Sequence, residues 1–368
     1  MSKLLFVSTR PFYPESSGGA QKSTLFLFKR LQQLGWDIEV MCGLSIRSAL
    51  FRKVVFQSLL RGQKPSRTIK DDHLGYPCWR RMMKFSQPPD WIKWLDQRLD
   101  EFQPDTVIGY TSSKCPLLNH AAQRGFSSFY FVRELSSIES GQRIPDKIHA
   151  IANSPFTASK TESVSNNKVG VVLPFIDLER YQVDQRDRRY ITFINPVPEK
   201  GVELAIEVAR QLPNERFLFV KGKWTRYDRS RQEAFLRDAY LLPNVDVIDH
   251  QSDMRAIYQM TDILLVPSQF TETFGRVIVE AQVNRIPVIA AHIGGIPYTM
   301  GDGGILVDPI DRPEGYVHAI QHLRRDEATY HRLAHLAHQN SQRAEFDPHY
   351  QVERFLDFIQ SQKVVLYT

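Results

Sequence analysis

Residues 262–291 read DILLVPSQFTETFGRVIVEAQVNRIPVIAA. DILLVP (262–267) is almost wholly apolar and too short for a helix, so it reads as a buried strand ending at Pro267-Ser268. A helix is expected from about 274, and PVIAA (287–291) reads as a second buried strand. Strand, loop, helix, strand is a βαβ unit, and strands apolar on every position belong to a parallel sheet covered on both faces.

The same rhythm extends outward. YITFIN (190–195), RFLFVKG (216–222), VDVID (245–249) and GILVD (304–308) read as further strands, with helical stretches between them. In the first half, LLFVS (4–8), DIEVMC (37–42), DTVIGY (105–110), SFYFV (128–132), HAIANS (149–154) and VGVVLP (169–174) repeat the pattern. Residues 178–190, LERYQVDQRDRRY, are polar and suit a linker. The expected architecture is α/β: two Rossmann-like doubly wound parallel-sheet domains facing a central cleft. The first is expected over 1–183, with a helical and loop insertion at about 45–100. The second covers 184–345, and a C-terminal helix over 346–368 can return to the first.

Composition narrows the function classes. At 368 residues, with 42% apolar and 24% charged residues, the chain fits two soluble domains of ordinary size. No run of about 18 apolar residues is present to span a membrane, and the short apolar start before Arg10 does not make a secretory leader. A cytoplasmic location is expected. The three cysteines, Cys42, Cys78 and Cys115, are too scattered for a disulfide framework or a metal knuckle. Residues 1–185 hold 25 Lys and Arg against 17 Asp and Glu, whereas the rest holds 22 against 24. The basic first half suggests an anionic membrane surface or an acidic substrate. No nucleic-acid-binding motif accompanies it.

The chemistry is sought where ligands bind in such folds, beyond the carboxyl ends of the strands. Glu272 precedes the expected helix and Glu280 lies two turns along it. The helix start offers free amides to phosphate oxygens at Thr273-Phe274-Gly275. A nucleotide-sugar could place its phosphates there, sugar hydroxyls on Glu272 and ribose hydroxyls on Glu280, because carboxylates accept paired hydroxyl hydrogen bonds. From spacing alone, one capping and one surface glutamate account for the pair equally well.

VPSQFTETFGRVIVEAQVNRIPVIAAHIGGIP (266–297) resembles the signature of the family-4 retaining glycosyltransferases, also called group 1, which have the GT-B fold. Upstream, NPVPEKGVELAIEVARQLP (195–213) is similar to that family's loop ending in Lys-Gly, and IANSPFTAS, VVLPFIDLERY and the Gly18-Gly19 loop match more loosely. The resemblance implies a sugar moved from a nucleotide-sugar, most commonly a UDP-linked hexose or N-acetylhexosamine, to a hydroxyl of a sugar, lipid-linked or small-molecule acceptor. It also implies that Glu272 contacts the donor sugar, Glu280 holds the ribose and Lys200 neutralises the diphosphate. Gly18 and Gly19 would admit the phosphates close to the backbone; otherwise they are a plain turn. Lys200 otherwise is a surface lysine at a helix start.

Several positions depart from the family pattern. Asn195 stands where an Arg is usual, so Arg276 or Lys221 would have to supply the second diphosphate cation. Arg285 replaces a Gly and Tyr298 a Glu, and Arg133-Glu134 stand where many relatives carry an acceptor-side His. No D-x-D occurs, so neither a metal nor another cofactor is expected. The resemblance implies front-face attack with retention, the leaving phosphate helping to deprotonate the acceptor. The rival readings are a catalytically degenerate nucleotide-sugar binding protein and a UDP-sugar epimerase on the same fold. Residues 49–60, ALFRKVVFQSLL, form a basic amphipathic stretch that either packs on its own domain or lies peripherally on the inner face of an anionic membrane.

Overall fold

A computed structural model describes the chain apart from Ser17, Arg47, Pro65 and residues 83–87, 111–114, 223–226 and 365–368, and apart from the side chains of residues 88, 89, 137, 363 and 364. The chain divides into two units, Met1–Phe175 with Gln351–Thr368, and Ile176–Tyr350.

Unit 1 contains β1 (Lys3–Pro11), β2 (Asp37–Leu44), β3 (Thr68–Asp71), β4 (Cys78–Met82), β5 (Thr106–Gly109), β6 (Ser128–Val132), β7 (Ile148–Ala152) and β8 (Gly170–Val171). They form one sheet in the order β3-β4-β2-β1-β5-β6-β7-β8, parallel except where β3 runs antiparallel to β4. This corrects the expectation of a purely helical and loop insertion at 45–100, which supplies two strands to the sheet. Arg80 is the reason they are hard to see: its side chain is wholly buried within CWRRM. Its Nε bonds to Asp71 of β3, and Nη2 donates to the Tyr13 carbonyl oxygen at 2.9 Å. An inward arginine with its charge met locally satisfies the rule that buried charges are paired, but in the sequence it looks like surface. The aromatic run that follows lies in the helix Pro88–Phe102, which buries Trp91, Trp94, Leu95 and Leu99.

The last helix, Pro348–Val364, adds Val352, Phe355 and Ile359 to the buried core of unit 1. Phe355 meets Phe131 of β6 edge-on, ring centres 5.9 Å apart. The carboxamide of Gln351 accepts a 2.7 Å hydrogen bond from the Leu173 N–H. Burying one such phenylalanine is worth about 1.5–3 kcal/mol.

Unit 2 contains β9 (Tyr190–Ile194), β10 (Phe217–Val220), β11 (Val245–Ile248), β12 (Thr261–Val266), β13 (Val288–Ala291) and β14 (Gly304–Val307). All pairs are parallel, in the order β11-β10-β9-β12-β13-β14. The chain lays β10 and β11 to one side of β9, then returns to lay β12 to β14 on the other. The order therefore reverses between β9 and β12, where a doubly wound sheet opens a crevice at its carboxyl edge.

Candidate active site

Two loops leave that crevice: one follows β9 and carries Asn195 to Lys200, and the other follows β12 and carries Ser268 to Gly275. Gly201 brings them together. It has φ +84°, and a Cβ there would lie 2.0 Å from the Pro267 carbonyl oxygen, so no side chain fits. The Gln269 N–H then donates to the Glu199 carbonyl oxygen at 2.9 Å. In this arrangement Lys200 Nζ bonds to Glu272 Oε1 and sits 4.7 Å from the Phe270 ring centre. The Ser268 hydroxyl donates to the same carboxylate oxygen at 3.0 Å.

Glu272 is fixed from a third side as well. Its carbonyl oxygen accepts from the Gly295 N–H at 2.7 Å. Gly294, at φ +62°, would place a Cβ 2.2 Å from that oxygen. Three loops thus hold a carboxylate residue only 7% exposed. Gly201→Ala is expected to push the β9 and β12 loops apart and cost about 1–3 kcal/mol, the range for overpacking. Thermal unfolding checks it; an unchanged midpoint would mean that the loops do not need this close approach.

Glu280 is no surface glutamate. The helix Arg276–Gln282 is buried from Ile278 to Gln282, and Glu280 is 6% exposed. The Tyr258 hydroxyl donates to its Oε2 at 2.9 Å, and Arg276 Nε and Nη2 each lie 3.4 Å from its Oε1. Arg276 Nη2 also reaches the Tyr181 hydroxyl at 3.5 Å. Burial and the neighbouring Glu280 charge push the Tyr181 hydroxyl up to about 12, and the same causes push Tyr258 well above the usual tyrosine range. Both stay protonated at neutral pH. Between the two glutamates, Phe274 packs edge-on against Phe346 at 6.0 Å, and Gly275 caps the helix at φ +84°.

The other candidates fall as follows. Asn195 has φ +63°, a conformation asparagine tolerates better than most residues, and its buried Oδ1 has no hydrogen-bond partner among the described residues. The two proposed substitutes for the family's arginine are both committed. Lys221 Nζ is held by Glu233 at 2.8 Å and Asp249 at 3.0 Å, and Arg276 by Glu280. Arg285 has φ +57°, which accounts for the glycine usual there. Tyr298 donates its hydroxyl to Glu345 at 2.9 Å.

In unit 1, Gly18 precedes the helix Gly19–Gln33 with φ −63° and ψ 174°, which any residue can adopt, so local conformation does not demand glycine. Arg133 and Glu134 follow β6; Arg133 lies 4.8 Å from the Phe131 ring centre, and Glu134 accepts from Arg10 at 3.4 Å. Among the described residues no group of three His, Cys, Asp or Glu comes together to hold a metal.

The geometry gathers Lys200 with Glu272 and, separately, Arg276 with Glu280. It adds Ser268, Phe270, Tyr181 and Tyr258. Ser268 lay within the quoted motif, but Tyr181 sat in a stretch that read as linker, and nothing in the sequence joins it to a helix about a hundred residues on.

Residues 178–340 match the family model described as glycosyl transferases group 1. The D-inositol 3-phosphate glycosyltransferase of Mycolicibacterium smegmatis is 27% identical over 199 residues, 48% of this chain and 45% of that protein. The chain spans about half the length of the curated relatives it matches. The sucrose-phosphate synthase of Thermosynechococcus elongatus has a TM-score of 0.77 at 16% identity, covering 99% of this chain and 100% of that one. Anabaena HepE, solved in complex with UDP-glucose, has a TM-score of 0.74 at 17% identity, covering 98% and 100%. The two-sheet α/β fold is that of the GT-B glycosyltransferases.

Proposed function

We propose that this chain, with its group 1 glycosyl transferase match over residues 178–340 and its GT-B fold, is a retaining glycosyltransferase that moves a sugar from a nucleotide-sugar to a hydroxyl acceptor. The observation that carries the reading is the Lys200–Glu272 pair at the β9/β12 reversal, held by contacts that only glycine permits. A diphosphate leaving group needs positive charge preorganised where its own charge develops, and a compact ammonium meets that need. A second carboxylate, Glu280, is aimed by the Tyr258 phenol and by the Arg276 guanidinium, which also reaches the Tyr181 hydroxyl, and is suited to accept the paired hydroxyls of a ribose. Gly18 and Gly19 serve close approach of the donor to unit 1, and Arg133 and Glu134 serve the acceptor.

In this reading Glu272 orients the donor sugar through its hydroxyls while Lys200 neutralises the departing diphosphate, with no metal and no other cofactor. The acceptor attacks from the face the diphosphate leaves, and a diphosphate oxygen takes the hydroxyl proton, so configuration is retained. Uridine is the expected base, and a hexose or N-acetylhexosamine the expected sugar. The acceptor is a sugar, a lipid-linked molecule or a small molecule, and the reaction belongs to glycoconjugate or polysaccharide synthesis.

The test is a panel of nucleotide-sugars, assayed for nucleoside diphosphate release with and without a pool of sugar and lipid-linked acceptors. The expected result is slow release from a UDP-sugar that acceptor accelerates, with the donor's anomeric configuration kept in the product. Binding without any release would mean a degenerate binding protein. Conversion of the sugar without release would mean an epimerase.

A further inference from the structure

We propose that the helix Ala49–Leu60 of unit 1 docks the protein on an anionic membrane surface, with Phe56, Leu59 and Leu60 entering the lipid interface. The helix is properly begun, the Ser48 side chain accepting from the Phe51 N–H at 2.9 Å, yet it buries no residue of its own. Leu50, Phe51, Val54 and Val55 are half-buried. Phe56, Leu59 and Leu60 are 64%, 65% and 72% exposed. Together with Arg52 they follow the three- and four-residue spacing of one helix face.

Arg52, Lys53, Arg61 and Lys64 are all exposed around that apolar patch. Between Glu39 and Asp71 the chain has seven basic residues and no acidic one. An apolar patch beside four exposed basic residues is complementary to a surface that is apolar beneath and anionic on top. A symmetric contact with a second copy would set the same basic residues against themselves. A nucleic acid would meet the charge but leave the three large apolar side chains in water. Among the described residues no helix is long and apolar enough to cross a membrane, so the contact lies on the surface. The inference rests on unit 1 alone and holds whichever sugar unit 2 handles.

The experiment is co-sedimentation of the full chain with phosphatidylcholine vesicles, with and without phosphatidylglycerol, at low and high salt. Binding is expected only to the vesicles containing phosphatidylglycerol and is weakened by salt. At about 1 kcal/mol per basic residue near such a surface, Arg52→Ala with Lys53→Ala lowers the partition coefficient about 30-fold. Phe56→Ser, Leu59→Ser and Leu60→Ser together lower it at least about tenfold through lost apolar burial. Circular dichroism of these surface variants reports an intact fold. Equal binding to both lipids, no sedimentation, or a triple serine variant that binds as wild type would overturn the proposal. So would duplex DNA binding or self-association, lost in the triple variant, in a protein that ignores vesicles.

Discussion

Lys200→Ala is expected to lower kcat about 10²–10³-fold, or about 2.7–4 kcal/mol, the loss seen when one preorganised group facing developing negative charge is removed. Lys200 is the cation bonded directly to Glu272, and the two other candidate cations considered are paired elsewhere: Lys221 with Glu233 and Asp249, Arg276 with Glu280. Removing it takes away the cation bonded to the Glu272 carboxylate and leaves the Ser268 hydroxyl there, so the group proposed to hold the donor sugar also loses its orientation. Lys200→Arg keeps the charge but spreads it over a planar fork, and is expected to recover part of the loss. Steady-state kinetics on a UDP-sugar donor is the measurement. A Lys200→Ala enzyme with full kcat would place the diphosphate against another cation.

Asp262→Asn is expected to destabilise unit 2 by about 3 kcal/mol, the lower end of the range for breaking a buried ion pair from one side. Asp262 is the second residue of β12, at the far end of the strand from Ser268, and is 2% exposed. It accepts from Arg188 Nε at 2.8 Å and from the Tyr330 hydroxyl at 2.7 Å, and it bonds to Arg324 Nη1. Arg188 also lies 4.0 Å from the Tyr330 ring centre. The amide keeps the shape but leaves two guanidinium groups around a neutral partner.

A pH dependence follows from the same cluster. Burial raises the Asp262 pKa, but the bonds from Arg188, Arg324 and Tyr330 outweigh it and hold the carboxyl below the usual range. With the folded value depressed, the stabilisation is present above the ordinary carboxylate pKa of about 3.9 and is lost as pH falls through the folded value. Urea unfolding of unit 2 at neutral pH, repeated down through the acid range, should show the variant weaker at neutral pH and converging on wild type in acid. A constant gap at every pH would assign the loss to packing rather than charge.

The strands of unit 2 were legible because each is short and largely apolar, with only Thr192, Asp246 and the Thr261-Asp262 start of β12 breaking the runs, and such runs have few other places to go. The same rule missed β4, whose Arg80 points inward and is satisfied by Asp71 and the Tyr13 carbonyl, contacts made only on folding. The positions of Glu272 and Glu280 were legible, but their environments were not. Lys200 and Glu272 lie 72 residues apart in sequence and meet because Gly201 lacks a Cβ. Glu280 faces Tyr258 and Tyr181 because the helix around it is buried from Ile278 to Gln282, and no spacing within RVIVEAQ distinguishes that from a surface helix carrying one glutamate. Glycine at 18 carries no such local reason, since its backbone is ordinary extended chain.

The proposed roles, a ribose on Glu280 and a diphosphate facing Lys200, can be separated with fragments of the donor. Calorimetric titration of UDP and of uridine into wild type, Glu280→Ala and Lys200→Ala tests them, with thermal unfolding to verify that each variant is folded. Glu280→Ala should weaken both ligands by about 1.5–3 kcal/mol, the value of hydrogen bonds to a charged group. Lys200→Ala should weaken UDP and leave uridine unchanged. A folded Glu280→Ala variant that binds UDP as tightly as wild type would mean that Glu280 does not hold the ribose.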